Sequence, residues 1–365
     1  MYRITPFVLL LLWSPSAFGQ TLSLSDTARI LAGLSVDESV VEDFDSRLLR
    51  DFGEQMEEYW EEYEEDVGGP MADFAAEHLD FNPGDTVFYP FSGPDFITVH
   101  RLYPEATRYV LVALQHGGQL PDLTVSDAQT EMILQTVLDS MPQFADFGFF
   151  VTEEINNAFN YDLTPVDGIS AAIAMMAERE GFRVVEMEPI QINMAGTDVV
   201  VHPGDPEARR TWRSVRFNLE RRSDEQPVIV DYIRLDLANE NLDENAAFRN
   251  WLAQEAAGRV VFKAASHLPQ YDNFSTIVGL IVNNAISIVQ DESGIEYSLL
   301  TEHFEVTLYG DLNEINHNFP SHLQADLLAA YNAIEDVERL SFPFGYYHPR
   351  RTYSVQVAHT RLVSE

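Results

Sequence analysis

The sequence predicts an α/β protein with a largely parallel sheet, helices on both of its faces, and a helical segment in front. Three observations predict it. From residue 86 onward, short apolar runs alternate with stretches of helical periodicity, the pattern of strand–helix–strand units. Residues 108–114 (RYVLVAL) are apolar almost throughout, as in a strand buried on both faces. Residues 37–66 instead repeat Phe44, Leu48, Phe52, Met56, Tyr59, Trp60 and Tyr63 at spacings of three and four, one apolar stripe on an acidic helix.

The elements follow in order. Asp26 is expected to cap a short helix running to Leu34. Helix 37–66 is expected to stop at Gly68-Gly69-Pro70, with a second short helix through Leu79. Strands are expected at 86–91, 108–114, 182–190, 259–263, 285–290, 304–309 and 352–359. The two alternating runs at 213–219 and 227–237, separated by Arg222-Ser223-Asp224-Glu225, read as a hairpin. Helices are expected at 126–141, 168–180, 245–257, 274–284 and within 320–337. The whole is a Rossmann-like sheet with an added antiparallel hairpin.

The chain opens with Arg3, an apolar run at 7–13 (FVLLLLW), Pro15 and a small-residue exit at Ala17-Phe18-Gly19. That is the pattern of a secretory signal peptide. The expected organisation is therefore a signal peptide over 1–19, a helical segment over 20–80 and an α/β domain over 81–365. The expected location is periplasmic or extracellular. The run at 7–13 is shorter than the roughly 20 apolar residues a membrane span needs, and no later stretch reaches that length. Cysteine is absent, which excludes disulfides and a lipid-anchoring cysteine.

Charge narrows the partners. With 59 acids against 22 bases the formal net charge is −37, which repels nucleic acid and anionic lipid. Every base but one is arginine; the single lysine is Lys263. Such a bias reads as adaptation to salt or as genomic base composition, and in either case it singles out Lys263.

Polar and glycine residues collect just after the expected strands: Ser92, Gly93 and Asp95; His116 with Gly117 and Gly118; Lys263 with Ser266; Asp291 and Ser293. In an open parallel sheet the carboxyl ends of the strands share one edge, and ligands bind in the crevice there. Ser92, Gly93, Asp95, Lys263, Asp291 and Ser293 are the expected ligand contacts. Lys263, Asp95, His116 and Ser266 are the candidates for acid, base or nucleophile. The bland alternatives are a tight turn with Asp95 as helix cap, a scaffold lysine paired to Asp95 or Asp291, and a solvated loop histidine. No metal-ligand spacing is present, so no metal is expected, and no cofactor is assigned.

Residues 85–118, with YPFSGPD, and 263–309, with QDESGIEY, resemble a set of exported bacterial proteins carrying YPFSGPD-like and QDDSGIPY-like motifs. That resemblance implies export but brings no chemistry. A weaker similarity is to the Rossmann-like fold of S-adenosylmethionine-dependent methyltransferases. It implies that Ser92-Gly93-Pro94-Asp95 is the cofactor loop, although Gln115 or His116 stands where that fold places an acid. The functional expectation is an exported acidic protein that binds a small polar ligand at the strand-end crevice. An exported hydrolase or transferase using Lys263 and Asp95 is the first alternative. A structural protein of the cell envelope, meeting a protein partner through its N-terminal helices, is the second.

Overall fold

The computed structural model describes residues 22–147, 166–193, 195–200, 212–256, 259–313, 324–345 and 353–360; the expected signal peptide lies outside them. The strands are β1 (Val87–Pro90), β2 (Arg108–Ala113), β3 (Phe182–Ile192), β4 (Asp198–Val200), β5 (Ser214–Arg221), β6 (Pro227–Arg234), β7 (Arg259–Lys263), β8 (Ala285–Gln290), β9 (Phe304–Gly310) and β10 (Ser354–Thr360). The helices are α1 (Leu24–Leu31), α2 (Ser46–Tyr63), α3 (Gly69–His78), α4 (Phe96–Leu102), α5 (Asp127–Phe147), α6 (Ser170–Arg179), α7 (Asn239–Glu244), α8 (Ala246–Ala256), α9 (Ser275–Asn284), α10 (Tyr297–His303) and α11 (Ala325–Ala333).

The strands form one sheet in the order β4-β3-β5-β6-β2-β1-β7-β8-β10-β9. Its centre, β6-β2-β1-β7-β8, is parallel throughout. Antiparallel strands extend both sides, β5, β3 and β4 beyond β6 and β10 and β9 beyond β8. The α/β, Rossmann-like reading therefore holds. The antiparallel part is larger than the expected hairpin, because β3 pairs with β5 and carries β4 on its outer edge. β4, α7 and α10 were not read from the sequence.

Side-chain alternation puts the two faces into separate cores. Val87, Tyr89, Tyr109, Leu111 and Phe262 face a layer holding residues of α1 to α6. Phe88, Val110, Val112, Val261 and Ile288 face the layer of α7 to α10. The N-terminal helices belong to the first core: Leu31, Phe52, Met56, Tyr63 and Met71 are buried with the sheet. Trp60 is half-buried, stacked near Phe144 with ring centres 6.3 Å apart, and Arg179 lies 5.1 Å over it. The aromatic stripe is a packing stripe.

Three local expectations are corrected. Ser23, not Asp26, caps α1, its hydroxyl accepting from Asp26 N at 3.0 Å. The long helix starts at Ser46 rather than 37, because the Asp45 carboxylate accepts from Arg47 N and Leu48 N. Gly68-Gly69-Pro70 does not end it. A π-helical turn over Glu64–Gly68 leads straight into α3, where Pro70 sits in the first turn and no N–H is missed. A side chain at Gly69 would lie 2.8 Å from Glu64 O, so the turn needs glycine there.

One buried carboxylate ties distant segments together. Glu178, on α6, accepts from Ser25 Oγ at 2.6 Å, Val184 N at 3.1 Å and Arg222 at 2.7 Å, and Arg29 lies at 3.6 Å. It joins α1, β3 and the β5–β6 turn.

Candidate functional site

The chain runs outward from β1 to β2 and β6, then crosses back to place β7 and β8 on the other side of β1. The order therefore reverses between β1 and β7, so the carboxyl ends of these two strands lie at the switch point where open sheets of this kind bind ligands. Residues 91–95 leave β1 there, 264–267 leave β7, and 291–294 leave β8 next door.

Lys263 closes β7, opposite Gln290 of β8, and is buried at 2 % exposure. Its Nζ donates to Ala264 O at 2.8 Å and to Ser293 Oγ at 3.3 Å. Ser293 Oγ in turn donates to Asp291 Oδ1 at 2.5 Å and accepts from Ser266 N at 2.9 Å. Asp291 also takes Ser293 N at 3.0 Å on Oδ1 and Ala265 N at 2.7 Å on Oδ2. Lys263, Ser266, Asp291 and Ser293, expected to converge, do converge. Among the described residues no carboxylate lies within 4.0 Å of Nζ, so the lysine reaches Asp291 only through the Ser293 hydroxyl. Burial pushes the Lys263 amine down to about 8, although Asp291 and Glu292 pull the other way. Burial likewise pushes His267 down to about 4, against Asp291 and its hydrogen bond with Gln270.

Ser92 and Asp95 lie on the facing loop. Ser92 is buried, and its hydroxyl donates to Gly93 O at 3.1 Å, which turns it toward backbone rather than toward the crevice. Asp95 occupies the N-cap position of α4, which starts at Phe96 as the cap alternative expects, but its side chain makes no capping bond. It is buried, and both it and Asp291 help burial hold the Tyr89 phenol well above its ordinary range. The two carboxylates thus bear on one buried tyrosine.

His116 belongs elsewhere. Its Nε2 is 3.5 Å from Asp167 Oδ1, and burial lowers the ring's proton affinity more than Asp167 raises it. The loop it sits in is a joint. Gly117 N and Gly118 N donate to Arg213 O and Trp212 O, while Ile169 N and Ser170 N donate to His116 O and Gly117 O. Gly118 has φ +75°, and a side chain on it would collide with Asp167 O. His116 is thus set apart from Lys263, since β1 stands between β2 and β7, and the His116 loop packs on 166–170 and 212–213.

Four glutamines stiffen the β8 loop, and of them the sequence pattern singles out only Gln290. Gln290 donates to Ile295 O, Gln356 to Asp291 O, and Gln270 to both Glu292 O and Gly294 O; Gln324 also donates to Glu292 O. All four are buried. The signal available for Gln356 was polarity inside an apolar strand.

With this geometry in hand the chain was compared with known proteins. No family model, curated protein or solved structure matches it.

Proposed function

We propose that this is an exported protein that binds a small polar ligand in the crevice between the carboxyl ends of β1 and β7. One observation carries the reading. Phe91 and Ala265, the residues that lead out of that crevice on either side, have φ of +60° and +47°. Left-handed backbone at a non-glycine residue costs roughly 1–2 kcal/mol, and such strain gathers at functional sites. Glu225, in the β5–β6 turn, is the remaining case among the described residues. Beneath the strained loops lies a rigid polar floor of Lys263, Ser293 and Asp291, its orientation fixed by backbone N–H groups.

Two further features support the reading. The parallel core reverses its order at β1, in line with the methyltransferase-like similarity of the scaffold. No carboxylate follows β2, where Leu114, Gln115 and His116 stand, so a ligand other than that family's cofactor fits the departure better. The alternative of a hydrolase or transferase is favoured by one observation: an amine held near 8 is partly neutral close to physiological pH and serves as a base.

Thermal melting with a panel of nucleosides, amino acids, sugars and dicarboxylates tests the proposal. A ligand at 100 times its Kd adds about 2.7 kcal/mol. One class should raise Tm in the wild type and fail to do so in Asp95→Asn. A panel that leaves Tm unmoved throughout sinks the reading.

A further inference from the structure

The opposite edge of the sheet holds a second arrangement. At the amino ends of β2, β3 and β6 lies an open cleft of about 740 Å³, lined by His100, Pro104, Glu105, Glu180, Phe182, Arg221, Arg222 and Asp224, among others. His100 Nδ1 is 2.6 Å from Glu180 Oε2. Glu180 is buried, and its other oxygen accepts from Arg101 Nε at 2.9 Å and from a terminal nitrogen at 2.6 Å. Burial pushes this carboxyl up, but the bonds and charges of His100 and Arg101 outweigh burial and hold it below its ordinary value. An ionised carboxylate at that distance accepts the hydrogen bond of the proton on Nδ1, so Nε2 is the ring nitrogen left to hydrogen-bond a ligand. His100 lines the cleft, and the bond to Glu180 engages only Nδ1. The ring is clamped by Phe96, stacked at 5.6 Å, and by Phe182, edge-on at 4.9 Å.

We infer that this cleft is a second ligand site, taking a neutral, hydroxyl-rich small molecule of the sugar class with His100 Nε2 as one of its hydrogen-bonding partners. The charges of the walls choose the class. Arg221 lies 3.3 Å from Asp224 and 3.8 Å from Glu105, and Arg222 bonds Glu178. Each guanidinium is therefore already balanced. An anion would have to displace a wall carboxylate against a protein of net charge −37, and a cation would have to displace an arginine. Neighbouring hydroxyls need neither: they accept from guanidinium N–H, donate to the Glu105 and Asp224 carboxylates, and bond Nε2 as donor or acceptor. Pro104, exposed in the wall, supplies apolar surface for the C–H face of a sugar ring.

Histidine-labelled protein, its His100 resonances assigned with His100→Gln, is titrated by NMR with glucose, trehalose and inorganic phosphate. The sugars should shift the His100 resonances in a saturable way. Glu105→Gln with Asp224→Asn, both exposed positions, should weaken that binding about five-fold, as expected for lost hydrogen bonds. Phosphate shifting His100 where sugars do not would overturn the ligand class. No shift with any probe, or sugar binding unchanged in the double variant, would overturn the site.

Discussion

The two ends of the sheet carry similar chemistry in opposite states of closure. At the carboxyl end, Lys263, Ser293 and Asp291 are sealed, each bonded within the protein. At the amino end, Glu180 is as well held as Asp291, but the His100 it orients keeps one nitrogen open beside a cleft. A buried charged network thus says little about function by itself. What separates scaffold from site is whether one polar atom of the network is left over, and whether nearby backbone is strained to reach outward. Left-handed backbone occurs at both ends, at Phe91 and Ala265 and at Glu225 of the β5–β6 turn, and the amino end adds the spare atom.

This contrast can be broken or sharpened by substitution. Asp291→Ala should be the most damaging change. It strips partners from Ala265 N, Ser293 N and Ser293 Oγ and leaves Lys263 buried without its bridged counter-charge; a loss of roughly 3–5 kcal/mol in denaturant unfolding is expected. A loss under about 1 kcal/mol would show that the carboxyl-end network is not the scaffold described. Glu180→Gln should cost about 2 kcal/mol, because Arg101 keeps Glu64 as a second partner. The same residue predicts an acid limb. With its carboxyl held below the ordinary 4.5, its stabilisation is present above that pH and fades as pH falls through the lowered value; the glutamine variant should lose that limb. Ala265→Gly should instead raise stability by about 1 kcal/mol, since glycine takes φ +47° without strain. If it lowers Tm, the loop is held by contacts rather than strained.

Lys263→Met should have the smallest effect near neutral pH, below about 1 kcal/mol, because the lysine makes no direct ion pair and Asp291 keeps three other donors. Its signature is in the pH profile. The amine titrates near 8 when folded and near 10.5 when unfolded, so between those values the unfolded chain holds the extra proton and stability rises with pH. The methionine variant should flatten that rise, and equal slopes for the two proteins would count against the lowered affinity of Lys263 for its proton.

The carboxyl-end cluster was readable from the sequence because each of its parts is local. Lys263 ends one apolar run, Asp291 and Ser293 follow the next, and a parallel sheet brings such ends to one edge. Side-chain direction was not readable: nothing local says that the Ser92 hydroxyl turns back to Gly93 O or that the His116 loop docks on Trp212 and Arg213. The amino-end pair was invisible for a different reason. His100 and Glu180 are 80 residues apart, each at the end of a helix, and only the layer formed by α4 and α6 makes them neighbours. The run from α2 into α3 was misread because glycine and proline were taken as stops, whereas a wide turn needs the first and a new helix tolerates the second.

The Glu178 junction has a consequence for the order of events during synthesis. Ser25 of α1 lies 153 residues before Glu178 and 197 before Arg222, which share its bonds. At about 5–20 residues per second the ribosome completes those partners some 10–40 s after α1 has emerged. An eight-residue helix does not hold itself together in water over that wait. The first of the described helices to be made is therefore among the last to be fastened, and its docking reports that the chain has been completed beyond the β5–β6 turn.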